Sequence, residues 1–356
     1  MVTTYGDSHA CARLQTGAIF RGLRDTAGSV QCQTVKPSAA RSSIEGADCI
    51  GFHYHDVEAM TFLRHNRHLA PAAAIACFGA DIYDFGRYTE LCDLASFFVM
   101  PTSLHRSVLA SQMSLPVYTL EEPFDPIAID AQTDWRFPPK KTRHLGWFGY
   151  PESFYKSMLS LMPTIKACLD AGQLDGFKLL TDSSRFPNDL HLDLQAFSTQ
   201  TFAADVRAFD YVLVSHFPLD LHVNSLIKSP NKAVTALVAG AIPIASATPS
   251  YEALFCNLGL QKFLFDSPRN LSRLLRTRDP VADSRFIQDM GALEKIRTTM
   301  SDSETASAFL GLLQMYLTDP ANTADAIAVA VPITYEAFAR DRVKLISRLK
   351  RAMQRR

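Results

Sequence analysis

Two lysines, Lys228 and Lys232, lie in a loop that also carries Ser229 and Asn231. The residues that follow, 233–239, are rich in alanine and leucine, which predicts a helix. At the N-terminal end of a helix, free backbone N–H groups and the helix dipole favour an anion. The pattern therefore predicts an anion site. A structural helix start with two solvated lysines is the alternative that these residues alone leave open.

The residues after this predicted helix indicate how the anion site would be held. Gly240 stands where a helix C-cap belongs, and Ile242–Ser246 is a short apolar run typical of a buried parallel strand. Thr248-Pro249-Ser250 then ends the strand. Loop, helix, glycine and strand together predict half of an α/β unit, with the lysines at the N-terminal end of its helix.

This stretch resembles the nucleotide-sugar-binding segment of GT-B glycosyltransferases, in particular the bacterial family-4-like group (group 1), which has K-S-x-N-[KR] before EALxAGxPVxAS. The match consists of residues 228–232, Ala236-Leu237, Ala239-Gly240, residues 243–246 and residues 249–251. The resemblance implies that Lys228 and Lys232 are catalytic, because they would stabilise charge on a leaving diphosphate. It further implies a donor pocket that includes Ser229, Asn231, Tyr251 and Glu252.

One residue of this segment departs from the pattern. Where these glycosyltransferases usually have a glutamate that holds the donor ribose, the sequence has Thr235. A hydroxyl can accept a ribose hydrogen bond, but a neutral acceptor forms a weaker bond than a carboxylate does. The resemblance therefore places Thr235 at the donor ribose, with weaker binding as the consequence.

A second part of the donor site is predicted where the apolar strand His144–Phe148 meets Gly149. Trp147-Phe148-Gly149 matches the start of WFGxxxN, which opens the donor domain in the same glycosyltransferases. A glycine lets the backbone approach a pyrophosphate without a Cβ in the way. The resemblance implies donor contacts from Gly149, Tyr150 and Lys156, the last as a second phosphate ligand. By chemistry alone, a plain strand–helix turn explains these residues equally well.

Residues 78–81 follow the apolar run 72–77 and resemble the HGxD turn of many retaining glycosyltransferases. Asp81 matches the acidic position of that turn, which implies a catalytic role. Phe78 occupies the histidine position, and its ring can neither donate a hydrogen bond nor carry a proton. An ordinary solvated turn is the alternative interpretation of Asp81.

Three residues of the first half, His9, Arg13 and His55, are assigned to the acceptor side of the cleft. Arg13 loosely fits an SxxxRxR stretch that faces the acceptor in the resembling group, and an exposed N-terminal turn without a role is the alternative. His53 and His55 are two residues apart, so they would share one face of an extended strand. Without a third ligand nearby this is a weak zinc pattern, and structural or cleft-lining histidines are the favoured interpretation.

Strands alternate with helices along most of the chain, which predicts an α/β protein with parallel, doubly wound sheets. Residues 134–143 have the composition of a stiff, charged linker. We expect two Rossmann-like domains in the GT-B architecture, an acceptor-side domain over 1–136 and a nucleotide-sugar-binding domain over 137–331. Residues 332–356 are expected to form a basic helix that returns to the first domain and whose end could contact anionic lipid headgroups.

The composition excludes several classes of protein. Of 356 residues, 47% are hydrophobic and 20% are charged, with a formal net charge of zero, so the chain is globular and has no basic excess for nucleic acid. The seven cysteines are scattered and never spaced C-x-x-C, which predicts reduced thiols in the cytoplasm and no metal site. We expect no signal peptide, and no apolar run approaches the roughly 18 residues of a membrane span.

We therefore predict a metal-independent hexosyltransferase that uses no cofactor. It would move a sugar from a nucleotide-sugar donor to a glycan or lipid-linked acceptor, in cell-envelope or exopolysaccharide biosynthesis. We expect a cytoplasmic protein with peripheral contact to the inner face of the membrane through the basic helix. Two alternatives stay open: a catalytically degenerate binding or scaffold protein, consistent with Phe78 and Thr235, and a sugar-nucleotide 2-epimerase on the same fold.

Overall fold

The structure, a computed structural model, describes residues 1–6, 9–25, 30–80, 85–130, 135–182, 184, 186, 192–219 and 223–318. In these residues the chain forms two parallel β-sheets, each flanked by helices. The strands of the first sheet end at residue 119, and those of the second begin at residue 144. The architecture is thus two Rossmann-like units, as the alternation of strands and helices predicts.

The first sheet has four strands in the order β1-β2-β3-β4. Their bounds are β1 Cys49–His53, β2 Ala74–Phe78, β3 Phe97–Met100 and β4 Val117–Thr119. β2 and β3 are buried along their whole length, because helices cover both faces of a parallel sheet and require nearly continuous apolar sequence.

The second sheet has six strands in the order β10-β9-β8-β5-β6-β7. Their bounds are β5 His144–Phe148, β6 Gly176–Thr181, β7 Asp193–Ala196, β8 Tyr211–Val214, β9 Ile242–Ser246 and β10 Leu264–Phe265. All of its strand pairs are parallel. The first strand of the unit, β5, lies in the middle of the sheet, so the chain winds outwards from it in both directions.

The helices of the first unit are α1 Gly17–Asp25, α2 Arg41–Ile44, α3 Val57–Asn66, α4 Phe85–Glu90 and α5 Ser103–Ala110. Those that follow are α6 Pro151–Ser157, α7 Met162–Asp170, α8 Phe202–Arg207, α9 Val223–Ile227, α10 Asn231–Ala239, α11 Pro249–Leu258, α12 Pro268–Thr277, α13 Pro280–Asp289, α14 Ala292–Thr299 and α15 Asp302–Thr318. Gly240 ends α10 in the left-handed conformation at φ 90°, which confirms the predicted C-cap.

The N-terminal region differs from the prediction at the two histidines. Within residues 1–6 only Val2 makes a β-bridge, with Val35. β1 ends at His53, so His55 lies in the following turn and the two histidines do not share a strand face. The reason is that the Asp56 carboxylate caps α3 by accepting from the backbone N–H of Ala59, which forces the chain to leave the sheet.

Residues 123–130 connect the two units and are held by side chains from both of them. Arg13 donates through Nε and Nη2 to the Asp125 carboxylate at 3.0 and 2.9 Å. Arg207, at the end of α8, donates to the Asp130 carboxylate at 3.0 and 2.9 Å. Paired arginine–carboxylate bonds fix distance and direction together, so the connection is anchored at both ends.

The last described helix, α15, packs on the first unit. Ala306 and Phe309 share a core with Ile19 and Leu23, next to α1 and the first sheet. The predicted domain bounds assign residues 302–318 to the second domain and return the chain only at residue 332. In the structure the chain is already back on the first unit at α15, whose apolar face packs there. The helix predicted over 332–356 and residue 134 of the predicted linker lie outside the described residues.

Candidate functional site

The carboxyl ends of β5 and β8 mark the switch point of the second sheet, because the chain winds away from β5 in opposite directions. In open α/β sheets, ligands bind in the crevice at such a point. Gly149 follows β5 directly, and His216 lies two residues beyond the end of β8. The donor site predicted at Gly149 therefore coincides with the position that the sheet topology favours.

Gly149 is required by both its conformation and its surroundings. Its φ is +152°, and a Cβ added to it would lie 2.7 Å from Lys232 Nζ and 3.0 Å from the Trp147 ring. A larger residue would push the Lys232 ammonium away from the backbone. The side chain of Lys232 thus lies directly against the turn that was predicted to approach a pyrophosphate.

Lys232 stands in the first turn of α10, and its ammonium is half-buried at this crevice. Nζ donates to the Phe148 carbonyl at 3.2 Å and lies over the Trp147 ring, 5.2 Å from its centroid. Burial, and secondly the charge of Lys228, lower the pKa of Lys232 to about 8. In the described part of the chain no carboxylate lies within ion-pair distance of this ammonium. An ammonium has three donors, so a ligand can occupy those that Phe148 leaves.

Lys228 and Ser229 precede α10 and are both half-buried. The charge of Lys228 lowers the pKa of Lys232, as described, and contributes after burial to the lowered pKa of His216. Lys228, Lys232 and His216 are therefore electrostatic neighbours. Ser229 Oγ accepts from the backbone N–H of Asn231 at 3.3 Å, which shapes the turn into α10.

His216 was not predicted as a site residue, although it lies only two residues beyond the end of β8. Its ring lies parallel to that of Tyr251, with centroids 5.5 Å apart, and Nε2 is 3.2 Å from the Tyr251 hydroxyl. Burial, followed by the charges of Lys228 and Lys232, holds the pKa of His216 well below its usual range. Burial raises the pKa of Tyr251. A neutral imidazole and a protonated phenol thus pack against each other beyond the carboxyl end of β8.

Asn231 and Thr235 are buried and bonded within the protein, at 8% and 3% exposure. Asn231 Nδ2 donates to the Pro123 carbonyl at 2.6 Å, and Thr235 Oγ1 donates to Asn231 Oδ1 at 2.9 Å. The sequence predicts donor contacts for both side chains. In the structure their hydrogen-bonding groups join α10 to the segment between the units, because the first turn of α10 faces that segment.

The remaining predicted donor residues differ in exposure. Tyr251 is buried at the start of α11, where its backbone N–H is capped by Thr248, whereas Glu252 is exposed. Tyr150, at 52% exposure, stands at the N-terminal end of α6, and Lys156 lies exposed in the last turn of that helix. Of these four side chains, Tyr251 is the one that stacks on His216.

In the first unit, Arg13 has a different task from the one predicted. At 7% exposure it holds Asp125 in a bidentate ion pair, so its guanidinium is committed to the connection between the units. The local cause is the π-helical turn Ala12–Thr16, in which Arg13 is buried. The acceptor contact that the sequence assigns to Arg13 stays a prediction.

His9, His53 and His55 lie close to the carboxyl end of β1. His9 stacks on Tyr5 with ring centroids 4.1 Å apart, and burial and the charge of Arg13 lower its pKa. Burial, then the neighbouring His9, lowers the pKa of His53 to about 3. His55 packs its ring on Tyr54 at 3.8 Å between centroids. Within the described residues no group of three His, Cys, Asp or Glu side chains is placed to hold a metal ion.

Phe78 is buried at the end of β2, where its ring lies 6.1 Å from that of His53 and 5.8 Å from that of Phe309. It therefore belongs to the core beneath α15, and it offers no polar group to the cleft. Asp81, the predicted catalytic acid of the same turn, lies outside the described residues, and its role stays a prediction. None of the described helices has the length and apolar character needed to cross a membrane.

Comparison with known proteins finds similarity in the fold. No protein-family model and no curated protein sequence matches the chain. An O-GlcNAc transferase from Thermobaculum terrenum superposes with a TM-score of 0.52 and 13% identity, over 82% of this chain and 56% of that one. The chain thus spans little more than half of that transferase. An α-glucosyltransferase solved with UDP and a 13-mer DNA containing a HMU base superposes with a TM-score of 0.53 and 12% identity, over 79% and 85% of the two chains.

The two superpositions agree with the architecture described above, which has two parallel sheets in Rossmann-like units and a helix that returns from the second unit to the first. At 12–13% identity the similarity concerns the fold and not the substrate. The chain has the GT-B fold of glycosyltransferases.

Proposed function

We propose that the protein transfers a sugar from a nucleoside-diphosphate sugar to an acceptor, with the diphosphate bound between Gly149 and residues 228–232. The observation that carries this proposal is the Lys232 ammonium. It lies against the turn after β5, at the switch point of the second sheet, and within the described residues no carboxylate neutralises it. Desolvating a cation without a counter-charge is costly, and an anionic ligand lowers that cost.

In the proposed reaction, the groups around the crevice stabilise negative charge on the departing diphosphate. Lys232 and Lys228 supply two positive charges, and α10 directs its N-terminal end to the same place. The neutral His216 and protonated Tyr251 add polar contacts without introducing a competing negative charge. Charge already in place before the reaction needs no reorganisation during it.

The kind of donor is supported by the two superposed enzymes. One is an O-GlcNAc transferase, and the other was solved with UDP. UDP is therefore the first nucleotide to test. A glycan or lipid-linked acceptor, and a place in cell-envelope or exopolysaccharide biosynthesis, rest on the sequence resemblance alone and are part of the proposal.

A second candidate function, nucleotide-sugar binding without transfer, is favoured by a specific observation. At the two positions where the resembling glycosyltransferases have a histidine and a glutamate, this chain has Phe78 and Thr235. Both side chains are buried, at 3% exposure each, and neither presents a charge to the cleft. A protein of this kind would bind a donor but leave it intact.

A donor panel separates these functions. The protein is incubated with UDP-, GDP- and dTDP-sugars, and nucleotide and sugar products are resolved by chromatography. A transferase releases nucleoside diphosphate slowly from one donor even without acceptor. The double variant Lys228→Ala/Lys232→Ala should reduce that release at least tenfold. Lys166→Ala is the matched control, because Lys166 is exposed on α7 and pairs with Asp170 at 4.0 Å.

Other outcomes of the panel reject the proposed reaction. Donor binding without release supports the binding protein, and a sugar changed while still attached to its nucleotide supports the 2-epimerase. A wild-type protein that binds none of the three nucleotides contradicts a donor site between Gly149 and residues 228–232.

A further inference from the structure

α9 and the loop after it join the two units at the lysine site. Ile227, the last residue of α9, has no exposed surface and belongs to the core of the first unit, together with Val108 and Leu109 of α5. α9 itself packs on α5 from one side and on α11 from the other. Lys228 is thus the residue directly after an anchor that the first unit holds.

Thr102 makes the polar contact at this anchor. It is the N-cap of α5, at 7% exposure, and its hydroxyl accepts from the backbone N–H of His105 at 3.1 Å. The same hydroxyl donates to the Ile227 carbonyl at 2.9 Å. One side chain of the first unit therefore caps the start of its own helix and holds the peptide bond between Ile227 and Lys228.

A second bond holds the other end of the loop. Asn231 Nδ2 donates to the Pro123 carbonyl, in the segment after β4, at 2.6 Å. Residues 228–230 are consequently held between two contacts with groups from outside the second sheet. The direction in which Lys228 and Lys232 point depends on both contacts, because a backbone fixed at two nearby points has few remaining conformations.

We propose that Thr102 is a positioning residue of the donor site. It docks residues 228–232, the loop before α10 and the first residues of that helix, on the first unit. The diphosphate site is therefore complete only when the two units are together. The inference rests on the proposed function, because the loop is taken to bind a nucleoside diphosphate. Thr102 does not touch the donor and acts through Ile227 and Lys228.

Calorimetry with UDP tests this role in four proteins. Thr102→Val removes the hydroxyl but keeps the shape, and it should weaken UDP binding by about two- to tenfold, the effect of one hydrogen bond. Thr102→Ser keeps both bonds and should bind like the wild type. Ser267→Ala removes the cap of α12, far from the site, and controls for the loss of a helix cap. Equal affinities of Thr102→Val and Ser267→Ala would overturn the proposal.

A double-mutant cycle shows whether Thr102 acts through the lysine loop. In the Lys228→Ala background, Thr102→Val should weaken UDP binding by a smaller factor than it does in the wild type, because its effect passes through Ile227 to Lys228. The same factor in both backgrounds would mean that Thr102 acts independently of the loop, which contradicts the inference.

Hydrogen exchange tests the same coupling in the wild-type protein, without any variant. If docking of the loop favours UDP, UDP must favour docking to the same extent. The backbone N–H of His105 donates to Thr102 Oγ1. In the wild type, UDP should slow hydrogen exchange at this amide as well as in residues 228–232. Protection confined to residues 228–232 would reject coupling to the first unit.

Exchange without ligand distinguishes failure of this inference from failure of the proposed function. Residues 224–232 should exchange faster in Thr102→Val than in the wild type and in Thr102→Ser. A wild type that binds no nucleoside diphosphate would reject the proposed function, and the ligand-free comparison would still show whether Thr102 docks the loop. Unchanged exchange in Thr102→Val would overturn the docking role itself.

Discussion

Lys140 and Lys232 are two lysines of the second unit with the same lowered pKa and different surroundings. Burial lowers the pKa of each to about 8. Lys140 Nζ donates to the carbonyls of Arg207 and Phe209 at 2.8 and 2.7 Å, at the end of α8. Lys232 Nζ donates only to the Phe148 carbonyl, at 3.2 Å, within the described residues.

The two lysines also lie at opposite edges of the second sheet. Phe209 precedes β8, so Lys140 is at the amino edge, whereas Gly149 follows β5 and places Lys232 at the carboxyl edge. A cation suits the C-terminal end of a helix, where Lys140 binds carbonyl oxygens. Lys232 instead has a second lysine as its electrostatic neighbour. A lowered pKa therefore does not distinguish the two lysines, whereas their hydrogen-bond partners and their positions in the sheet do.

The largest effect expected from this comparison is on stability. Lys140→Met leaves two carbonyls without their donor and should lower the free energy of unfolding by about 2–4 kcal/mol. Lys232→Met should leave that free energy unchanged or slightly higher, because it replaces a poorly satisfied ammonium with an apolar chain of similar shape. Urea unfolding of both variants measures the difference. Equal destabilisation would mean that Lys232 is as structural as Lys140.

The next largest effect is on UDP affinity, where Lys232→Met should have the larger effect and Lys140→Met the smaller. Lys232→Met should weaken UDP binding by about ten- to a hundredfold, because charge-assisted hydrogen bonds contribute roughly 1.5–3 kcal/mol each. Lys140→Met, measured at a temperature where it stays folded, should bind UDP like the wild type. Calorimetry decides between them. An unchanged affinity in Lys232→Met would remove this residue from the donor site.

A smaller effect is expected from pH. Since the pKa of Lys232 is lowered to about 8, its ammonium loses the proton as pH rises through that value, and UDP binding should weaken by up to about tenfold from pH 7 to pH 9. Binding near pH 8.5 should take up a proton, because a bound diphosphate favours the charged lysine. Calorimetry in buffers of different ionisation enthalpy detects that proton. The pH dependence should vanish in Lys232→Met and persist in Lys140→Met.

The smallest effect tests a polar group that, like Lys140, is satisfied inside the protein. Thr235→Val should lower the free energy of unfolding by about 1 kcal/mol, because Asn231 Oδ1 loses its donor, and UDP affinity should change little. Thr235→Ser is the control that keeps the hydroxyl. The sequence resemblance predicts tighter donor binding for Thr235→Glu, whereas burial at 3% exposure predicts a destabilised protein without that gain. Tighter UDP binding in a folded Thr235→Glu would show that this side chain reaches the ribose.

Some of the site was readable from sequence because its signals are local. The helix after the lysine loop, the left-handed Gly240 and the buried strand Ile242–Ser246 depend on composition and on one glycine, and all three are present. The proximity of Gly149 to residues 228–232 followed from a motif order that the resembling glycosyltransferases share, and the structure places Lys232 Nζ beside Gly149.

Other parts depended on which distant residues meet. Arg13 and Asp125 are far apart in the chain, so no pattern near Arg13 showed that its guanidinium is committed. The sequence predicts Asn231 as a donor ligand, and no local pattern indicates that its side chain donates to the Pro123 carbonyl. His216 carried a weak signal, since it lies just beyond β8 at the switch point, but no sequence pattern indicated its stacking on Tyr251.

Local sequence is sufficient to predict the two α/β units, the strand–helix alternation within them and a helix start next to Lys228 and Lys232. These follow from hydrophobic periodicity, helix caps and glycine conformation, which act over a few residues. Only the tertiary structure decided which charged and polar groups are satisfied by the protein and which stay available to a ligand. That choice depends on desolvation and on hydrogen-bond partners brought together from distant parts of the chain, and no local pattern contains it.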